Sequence, residues 1–264
     1  MLATLTIGTE GEYNLETHMK CLAIDGSTDV SSVALVDETG VLAEYNFAHR
    51  MDLSRRLMPN IVCLLKDCGL KVQDIEAVGI SLGPGSFTGL RIGVVTAKML
   101  AHVLGVPIAG IVTLDILAHQ FDYLDESVVC PLIRVRKGEV YYAFYRVKRG
   151  AVERISEYGA GSIEQVIGFV KHLNSGATSA GSNRKQRVFF CGDGLFEHTA
   201  ALERDLGDLA VPTPARLSYP KASIIGAIAV ERIAAGQIDD ARLLTPFYIR
   251  RSAPETRMES GKSQ

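Results

Sequence analysis

Short apolar runs separated by turn residues open the folded part of this sequence. Residues 1–18 are polar and have no regular period, and apolar runs follow at 21–24, 31–36 and 41–47. Turn-forming residues at 37–40 separate the second run from the third. Because parallel neighbours would need a crossover of about a dozen residues, these runs predict an antiparallel meander of three strands.

Helical periods then alternate with further apolar runs. Apolar residues from Leu53 to Leu65 recur at helical spacing and stop before Gly69, a residue suited to the end of a helix. The elements predicted next are a strand at 75–82, a glycine-rich turn at 83–88, a helix at 89–104, a strand at 108–111 and a helix at 114–121. The first half therefore has the order β-β-β-α-β-α-β-α.

The second half begins with the same order of elements. The patterns predict strands at 128–135, 139–147 and 152–158, a helix at 162–173, a polar loop at 174–187 and a strand at 188–191. A very apolar helix is predicted at 221–235. The repeated β-β-β-α-β order predicts an α/β fold of two similar lobes.

These patterns divide the chain into four parts. We expect residues 1–18 to be a disordered leader or expression remnant, 19–120 to form the N-terminal lobe, 121–251 to form a smaller C-terminal lobe and 252–264 to be a frayed tail. The helix at 221–235 is expected to pack near the junction of the lobes.

Composition and charge exclude several classes of function. The 264 residues include 28 Lys+Arg and 30 Asp+Glu, and the formal net charge of -2 gives no global attraction to nucleic acid or anionic lipid. Any RNA contact is therefore expected to be local or indirect. No apolar run approaches the roughly 18–20 residues of a membrane span, and no secretory signal is present, which predicts a cytoplasmic protein.

The five cysteines are scattered without a C-x-x-C pair and indicate neither disulfides nor a zinc site.

The run Gly83–Gly93 is the first candidate binding site. It reads GPGSFTGLRIG and lies between a predicted strand and a predicted helix, where free N–H groups can bind an anion. Gly83, Gly85 and Ser86 are therefore candidates for binding a phosphate. The alternative is a tight turn whose glycines let two elements pack closely.

Asp25, Gly26 and Ser27 form the second candidate site. An aspartate at a strand end beside small hydroxyl residues can line a phosphate-binding hairpin or hold a metal-bound water. The alternative is an ordinary turn with an Asx-type hydrogen bond.

The histidines have no metal-ligand spacing, so the sequence indicates no metal site. The basic residues at 134–137 form a weak cluster for which a solvated face is the default interpretation.

Four stretches of the chain together resemble one family. Cys21–Leu35, Gly83–Gly93, Gly138–Tyr141 and Tyr248–Arg250 occur in the order found in the TsaB family, also called YeaZ. The resemblance implies an actin-like, sugar-kinase-like fold of two RNase H-like lobes. It also implies a non-catalytic partner of TsaD, the related subunit that transfers a threonylcarbamoyl group to the tRNA adenosine beside the anticodon. The ATPase TsaE joins this pair, and a homodimer competes with it.

The resemblance also bears on catalysis, because TsaD-like chains carry a His-His-x-x-x-His metal motif. The corresponding positions here are Val112, Thr113 and Leu117, none of which can replace a histidine ligand. His119 comes two residues late and points about 200° around a helix. The resemblance therefore implies no catalytic residue, no metal and no cofactor of the chain's own, while it allows ATP or ADP in the assembled complex.

A different class of function stays open. The chain would then be a stand-alone nucleotide-dependent phosphotransferase or ATPase that uses Asp25 and the two glycine-containing turns. Arg134 stands where many members of the family have an acidic residue, and this departure puts nucleotide binding in question.

The partner surface implied by the resemblance lies on the first two long helices of the N-terminal lobe. Apolar residues on more than one face of these helices favour burial on both sides. The residues implied to face the partner are Leu57, Met58, Ile61, Leu65, Ile92, Val94, Val95, Lys98, Met99 and His102.

Overall fold

The computed structural model describes residues 18–49, 52–175 and 185–249. The expected leader, apart from His18, and the expected frayed tail lie outside the described residues.

A five-stranded sheet forms the first lobe. Its strands are β1 (Cys21–Asp25), β2 (Val30–Asp37), β3 (Gly40–Ala48), β4 (Ala77–Gly83) and β5 (Ile108–Val112), in the spatial order β3-β2-β1-β4-β5. The first three strands are antiparallel, which confirms the predicted meander, and β4 and β5 run parallel to β1.

Two long helices pack on one face of this sheet, and a short helix follows β5. They are α1 (Leu53–Asp67), α2 (Phe87–Leu104) and the short α3 (Thr113–His119). Helix α2 starts two residues earlier than predicted because Ser86 caps it, the N–H of Gly89 donating to Ser86 Oγ at 3.3 Å. Gly105, in the left-handed conformation, ends α2 as the sequence predicted.

The second sheet repeats the topology of the first. Its strands are β6 (Ser127–Arg136), β7 (Glu139–Tyr142), β8 (Tyr145–Lys148), β9 (Ala151–Arg154), β10 (Gly159–Ser162), β11 (Val188–Cys191) and β12 (Ala210–Pro212). The order β10-β7-β6-β11-β12 matches the order of the first sheet strand for strand, and β8 and β9 form an added hairpin beside β6. This match confirms the two similar lobes.

The single strand predicted over 139–147 is wrong, because the chain changes partners in its middle. Strand β7 pairs with the far half of β6, whereas β8 pairs with its beginning at Ser127–Val129. Between them, the N–H of Phe144 donates to Ser156 Oγ at 2.9 Å, and its carbonyl oxygen accepts from Ile155 at 2.8 Å. These bonds to the chain after β9 replace the ladder and break the alternating run into two strands.

The remaining helices complete the two lobes. They are α4 (Ile163–Ser175), α5 (Leu195–Leu206) and α6 (Ala222–Ala234). Helices α4 and α5 cover one face of the second sheet and α3 lies on the other, while α6 packs on the free face of the first sheet. The short 3-10 turns are Val72–Asp74, Gly207–Leu209 and Ala215–Leu217. Helix α5 and strands β10 and β12 were not predicted.

Residues 237–249, here called the return segment, correct the expected domain boundary. They were predicted to belong to the C-terminal lobe, yet they run along the first. The N–H of Asp239 donates to the carbonyl of Ile108 at 3.0 Å, and the N–H of Phe247 donates to that of Leu82 at 2.7 Å. Helix α6 and most of the return segment therefore pack with the first lobe, while Phe247 also contacts Tyr158 of the second, with ring centroids 5.4 Å apart.

Candidate functional site: interlobe cleft and helix α2

The two glycine-containing turns meet through their backbones. The N–H of Ser86 donates to the carbonyl oxygen of Ser27 at 2.6 Å. A Cβ atom on Gly89 would lie 2.1 Å from the carbonyl oxygen of Gly26, closer than any real Cβ contact. Close packing of the two turns therefore accounts for these glycines. The assignment of Gly83, Gly85 and Ser86 to phosphate binding stays a prediction.

Asp25 is fully buried at the end of β1. Its Oδ1 accepts hydrogen bonds from the N–H of Ser27 at 3.2 Å and from Ser27 Oγ at 2.7 Å, which is the Asx-type turn considered above. Its Oδ2 and the Oγ of Ser81 are both buried without a hydrogen-bond partner of normal geometry. Burial raises the pKa of Asp25 to about 6, against opposing effects of Ser81, Ser27 and His49. Asp25 is therefore a desolvated acid beside the β1–β2 turn.

Arg134 crosses the cleft between the lobes. From β6 its guanidinium reaches Asp29 of the first lobe at 3.4 Å and Glu197 of α5 at 3.9 Å. Its N–H donates to Asp193 Oδ1 at 2.9 Å. Burial raises the pKa of Asp193, and the nearby Asp29 adds to this effect. The side chains in the two ion pairs of Arg134 are between 42% and 83% exposed, so each pair contributes little to stability.

A cavity of about 340 Å³ separates the lobes at this point. Residues 27–29 and 85–87 line it from the first lobe, and residues 133–135 and Asp193 line it from the second. One arginine faces two carboxylates here, those of Asp29 and Asp193. This charge balance does not favour a polyphosphate, which needs an excess of positive charge or backbone donors.

Helix α2 presents an apolar stripe to solvent. Val95, Met99 and Val103 follow one another at four-residue spacing and are 59%, 56% and 73% exposed. Met58 and Val62 of the neighbouring helix α1 are also exposed. We call these five side chains the outer stripe. Several exposed apolar side chains on two neighbouring helices are typical of a protein–protein contact.

Several residues expected at the partner surface lie elsewhere. The three α1 residues Leu57, Ile61 and Leu65 and the α2 residue Val94 are buried in the core of the first lobe, so their assignment to the partner surface is wrong. They form the sheet-facing sides of α1 and α2, whereas the side chains of the outer stripe face solvent.

The other expected residues divide into two groups. Met58, Val95, Met99 and His102 are exposed as expected, whereas Ile92 is partly buried against the core. Lys98 turns sideways and donates from Nζ to the carbonyl oxygen of Leu244 at 2.8 Å. Val62 was missed, although its four-residue spacing from Met58 could have indicated it.

Helix α2 corrects the expectation that no apolar run approaches the length of a membrane span. Phe87–Leu104 is long and apolar enough to cross a bilayer by length and composition, and 33% of it is buried. The outer stripe and the core-facing side together supply this apolar character.

Metal ligands do not gather at any point in the part of the chain that the structure describes. Among residues 18–49, 52–175 and 185–249, no three His, Cys, Asp or Glu side chains could hold one ion. Thr113 and Leu117 are buried, and His119 Nδ1 lies 2.8 Å from the carbonyl oxygen of Asp115.

Comparison with protein families gives one match that spans most of the chain. The model described as TsaD, tRNA N6-adenosine threonylcarbamoyltransferase, matches residues 46–258. A Bacillus subtilis protein named tRNA threonylcarbamoyladenosine biosynthesis protein TsaB is 31% identical over 92% of this chain and 100% of its own. The protein of the same name from Haemophilus influenzae is 28% identical over 82% of this chain and 93% of its own.

Solved structures from Pseudomonas aeruginosa share the fold. One is described as an uncharacterized protein with similarity to peptidase YEAZ, with a TM-score of 0.71, 25% identity and coverage of 88% of this chain and 99% of that one. Another, YeaZ, has a TM-score of 0.69, 24% identity and coverage of 87% and 99%. With the matched strand order, this likeness confirms the expected actin-like fold of two lobes.

Proposed function

Because the chain belongs to the TsaB family of tRNA threonylcarbamoyladenosine biosynthesis proteins, we propose that it serves this pathway as a non-catalytic subunit that binds TsaD. The observation that carries the proposal is the outer stripe of α1 and α2. Its five apolar side chains are exposed on a rigid helical surface, where a partner can bury them without first ordering a loop.

The kind of partner follows from the family match. The family model that spans residues 46–258 is that of TsaD itself, so the chain and TsaD are related over the part that includes both outer helices. Related surfaces can pair around a pseudo-two-fold axis, as identical ones do in an isologous dimer. The same stripe therefore suits TsaD or, in competition with it, a second copy of this chain, and TsaE joins the assembled pair.

The residues at the implied metal positions support a non-catalytic role. Val112 ends β5, while Thr113 and Leu117 lie on α3 with their side chains buried. Neither Val nor Leu has an atom that binds a metal, and a lone threonine hydroxyl is a poor ligand for a transition metal. The transfer chemistry then belongs to the partner.

A stand-alone nucleotide-dependent phosphotransferase or ATPase is the second candidate. The desolvated carboxylate of Asp25 favours it, because a carboxylate at a strand end can act on a phosphate or hold a metal-bound water. Two observations weigh against nucleotide binding. The N–H of Ser86 is already bonded to the carbonyl oxygen of Ser27, and the cleft is lined by two carboxylates and one arginine.

A reconstitution experiment tests the proposal. Purified TsaD and TsaE would be combined with tRNA, ATP, an activated threonylcarbamoyl donor and either this chain or Val95→Glu, and the complex and the threonylcarbamoyladenosine formed on tRNA would be measured. We expect Val95→Glu to abolish co-purification with TsaD and to leave the thermal melt nearly unchanged. Tyr123→Glu is the matched control, because Tyr123 is 69% exposed, against 59% for Val95, but lies outside the outer stripe.

Two results would overturn the proposal. One is formation of the modified nucleoside, or ATP hydrolysis at about 1 per second or faster, by this chain alone. The other is a Val95→Glu variant that binds TsaD as the wild type does. Loss of the fold in Val95→Glu would show instead that this face belongs to the core.

A further inference from the structure

The return segment holds one leucine, Leu243, with its side chain exposed to solvent near helix α2. Leu243 is 77% exposed, more than any other large apolar residue in the part of the chain that the structure describes. Its neighbour Leu244 is buried in the core of the first lobe. The chain is therefore anchored next to Leu243 while the Leu243 side chain itself contacts solvent.

A tight turn fixes the backbone around Leu243. The N–H groups of Leu243 and Leu244 donate to the carbonyl oxygen of Asp240 at 3.0 and 2.9 Å. The N–H of Arg242 donates to Asp240 Oδ1 at 2.8 Å. These bonds and the buried Leu244 hold the turn in one conformation.

Lys98 joins this turn to helix α2. Its Nζ donates to the carbonyl oxygens of Arg242 at 3.2 Å and Leu244 at 2.8 Å, the residues on either side of Leu243. Lys98 is the residue before Met99 and the third after Val95, so the turn lies alongside the outer stripe at the level of these two side chains. Charge-assisted bonds of this kind are stronger than neutral ones.

We propose that Leu243 is a further anchor for the subunit that binds the outer stripe, and that Lys98 is the residue that positions it. This inference rests on the proposed function, because the occupant is the same TsaD subunit. Single exposed apolar residues are common on protein surfaces. Leu243 differs because Lys98 bonds the turn that carries it to the helix of the outer stripe, and because its backbone is already ordered, so a partner can bury it at little entropic cost.

The test compares dissociation constants for purified TsaD by titration calorimetry, with thermal melts of each variant. Leu243→Ser is expected to weaken binding roughly tenfold or more, since it removes a buried leucine from the contact. Tyr123→Ser is the control, because it likewise replaces an exposed apolar side chain by serine, but outside this surface. We expect this variant to bind TsaD as the wild type does.

A double-mutant cycle separates positioning from direct contact. Lys98→Met keeps the aliphatic stem and loses both bonds to the turn, so it should weaken binding in the wild type and have little effect in Leu243→Ser. Wild-type binding by Leu243→Ser, with binding lost in Val95→Glu, would overturn this inference and leave the proposed function standing. An equal loss from Lys98→Met in both backgrounds would overturn the positioning role of Lys98. Wild-type binding by Val95→Glu would reject the proposed function, and this inference with it.

Discussion

Gly85 approaches Ser27 so closely that a Cβ atom at position 85 would lie 2.1 Å from the carbonyl oxygen of Ser27. The atom in the way belongs to the backbone of the β1–β2 turn and cannot rotate aside. Packing against the β1–β2 turn therefore requires a glycine at position 85, whether or not the glycine-rich turn binds a ligand.

Gly85→Ala is expected to lower the free energy of unfolding by about 1–3 kcal/mol, the usual cost of forcing a methyl group into a packed site. Urea unfolding followed by circular dichroism measures it. Gly168→Ala on α4 is the matched control, because nothing lies within 4 Å of its added Cβ, and it should raise stability by about 0.5–1 kcal/mol. Equal stability of the two variants would contradict the close contact.

Ile61→Ala tests the corrected position of the α1 residues. Ile61 is fully buried among core side chains, so its truncation should cost about 2–5 kcal/mol of unfolding free energy. Val95→Ala on the exposed side of α2 should change it by no more than about 0.5 kcal/mol. If Ile61→Ala kept wild-type stability and lost TsaD, Ile61 would belong to the partner surface after all.

Asp25 gives the fold a definite pH dependence. Because burial raises its pKa from 3.8 to about 6, the folded state binds the proton more tightly than the unfolded state does. This group therefore favours folding most below about pH 4, and that contribution is lost as the pH rises to about 6, by about 3 kcal/mol in all. Asp25→Asn should remove this slope from urea titrations between about pH 4 and pH 7. A wild-type slope in the variant would show that Asp25 does not titrate in this range.

The isolated chain should respond weakly to Mg-ATP. A site with a dissociation constant of about 10 μM would add about 2.7 kcal/mol at 1 mM nucleotide, or roughly 5–11 °C in melting temperature. We expect a shift below about 1 °C, because Asp29 and Asp193 face the cleft with one arginine. Differential scanning fluorimetry measures the shift. A rise of several degrees that is lost in Asp25→Asn would favour the ATPase alternative.

Local signals predicted those parts of the fold in which sequence neighbours bond to one another. The tight turn at 37–40 correctly predicted the β2–β3 pair, and the helical period from Leu53 to Leu65 correctly predicted α1. The break at Ala143 and Phe144 could not be predicted in this way, since it depends on Ile155 and Ser156, which compete for the Phe144 backbone.

The candidate surface shows a second limit of sequence patterns. A helical period identifies a side of a helix, but it does not say whether that side faces a sheet or a partner. Leu57 and Ile61 have the same spacing as Met58 and Val62, and only the position of the first sheet shows which pair is buried. The role of Lys98 could not be predicted either, because its acceptors are backbone carbonyls 144 and 146 residues further on.

The path of the chain through the first lobe sets the order in which the protein can be completed during synthesis. Strands β1 to β5 are translated first, yet one face of their sheet is covered by α6, and the edge at β5 is bonded by the return segment. Both come from the last described residues, after the whole second lobe. Domains usually fold in the order of synthesis. Here the lobe that begins first finishes last, so the nascent chain holds an uncovered apolar sheet face until α6 has been synthesised.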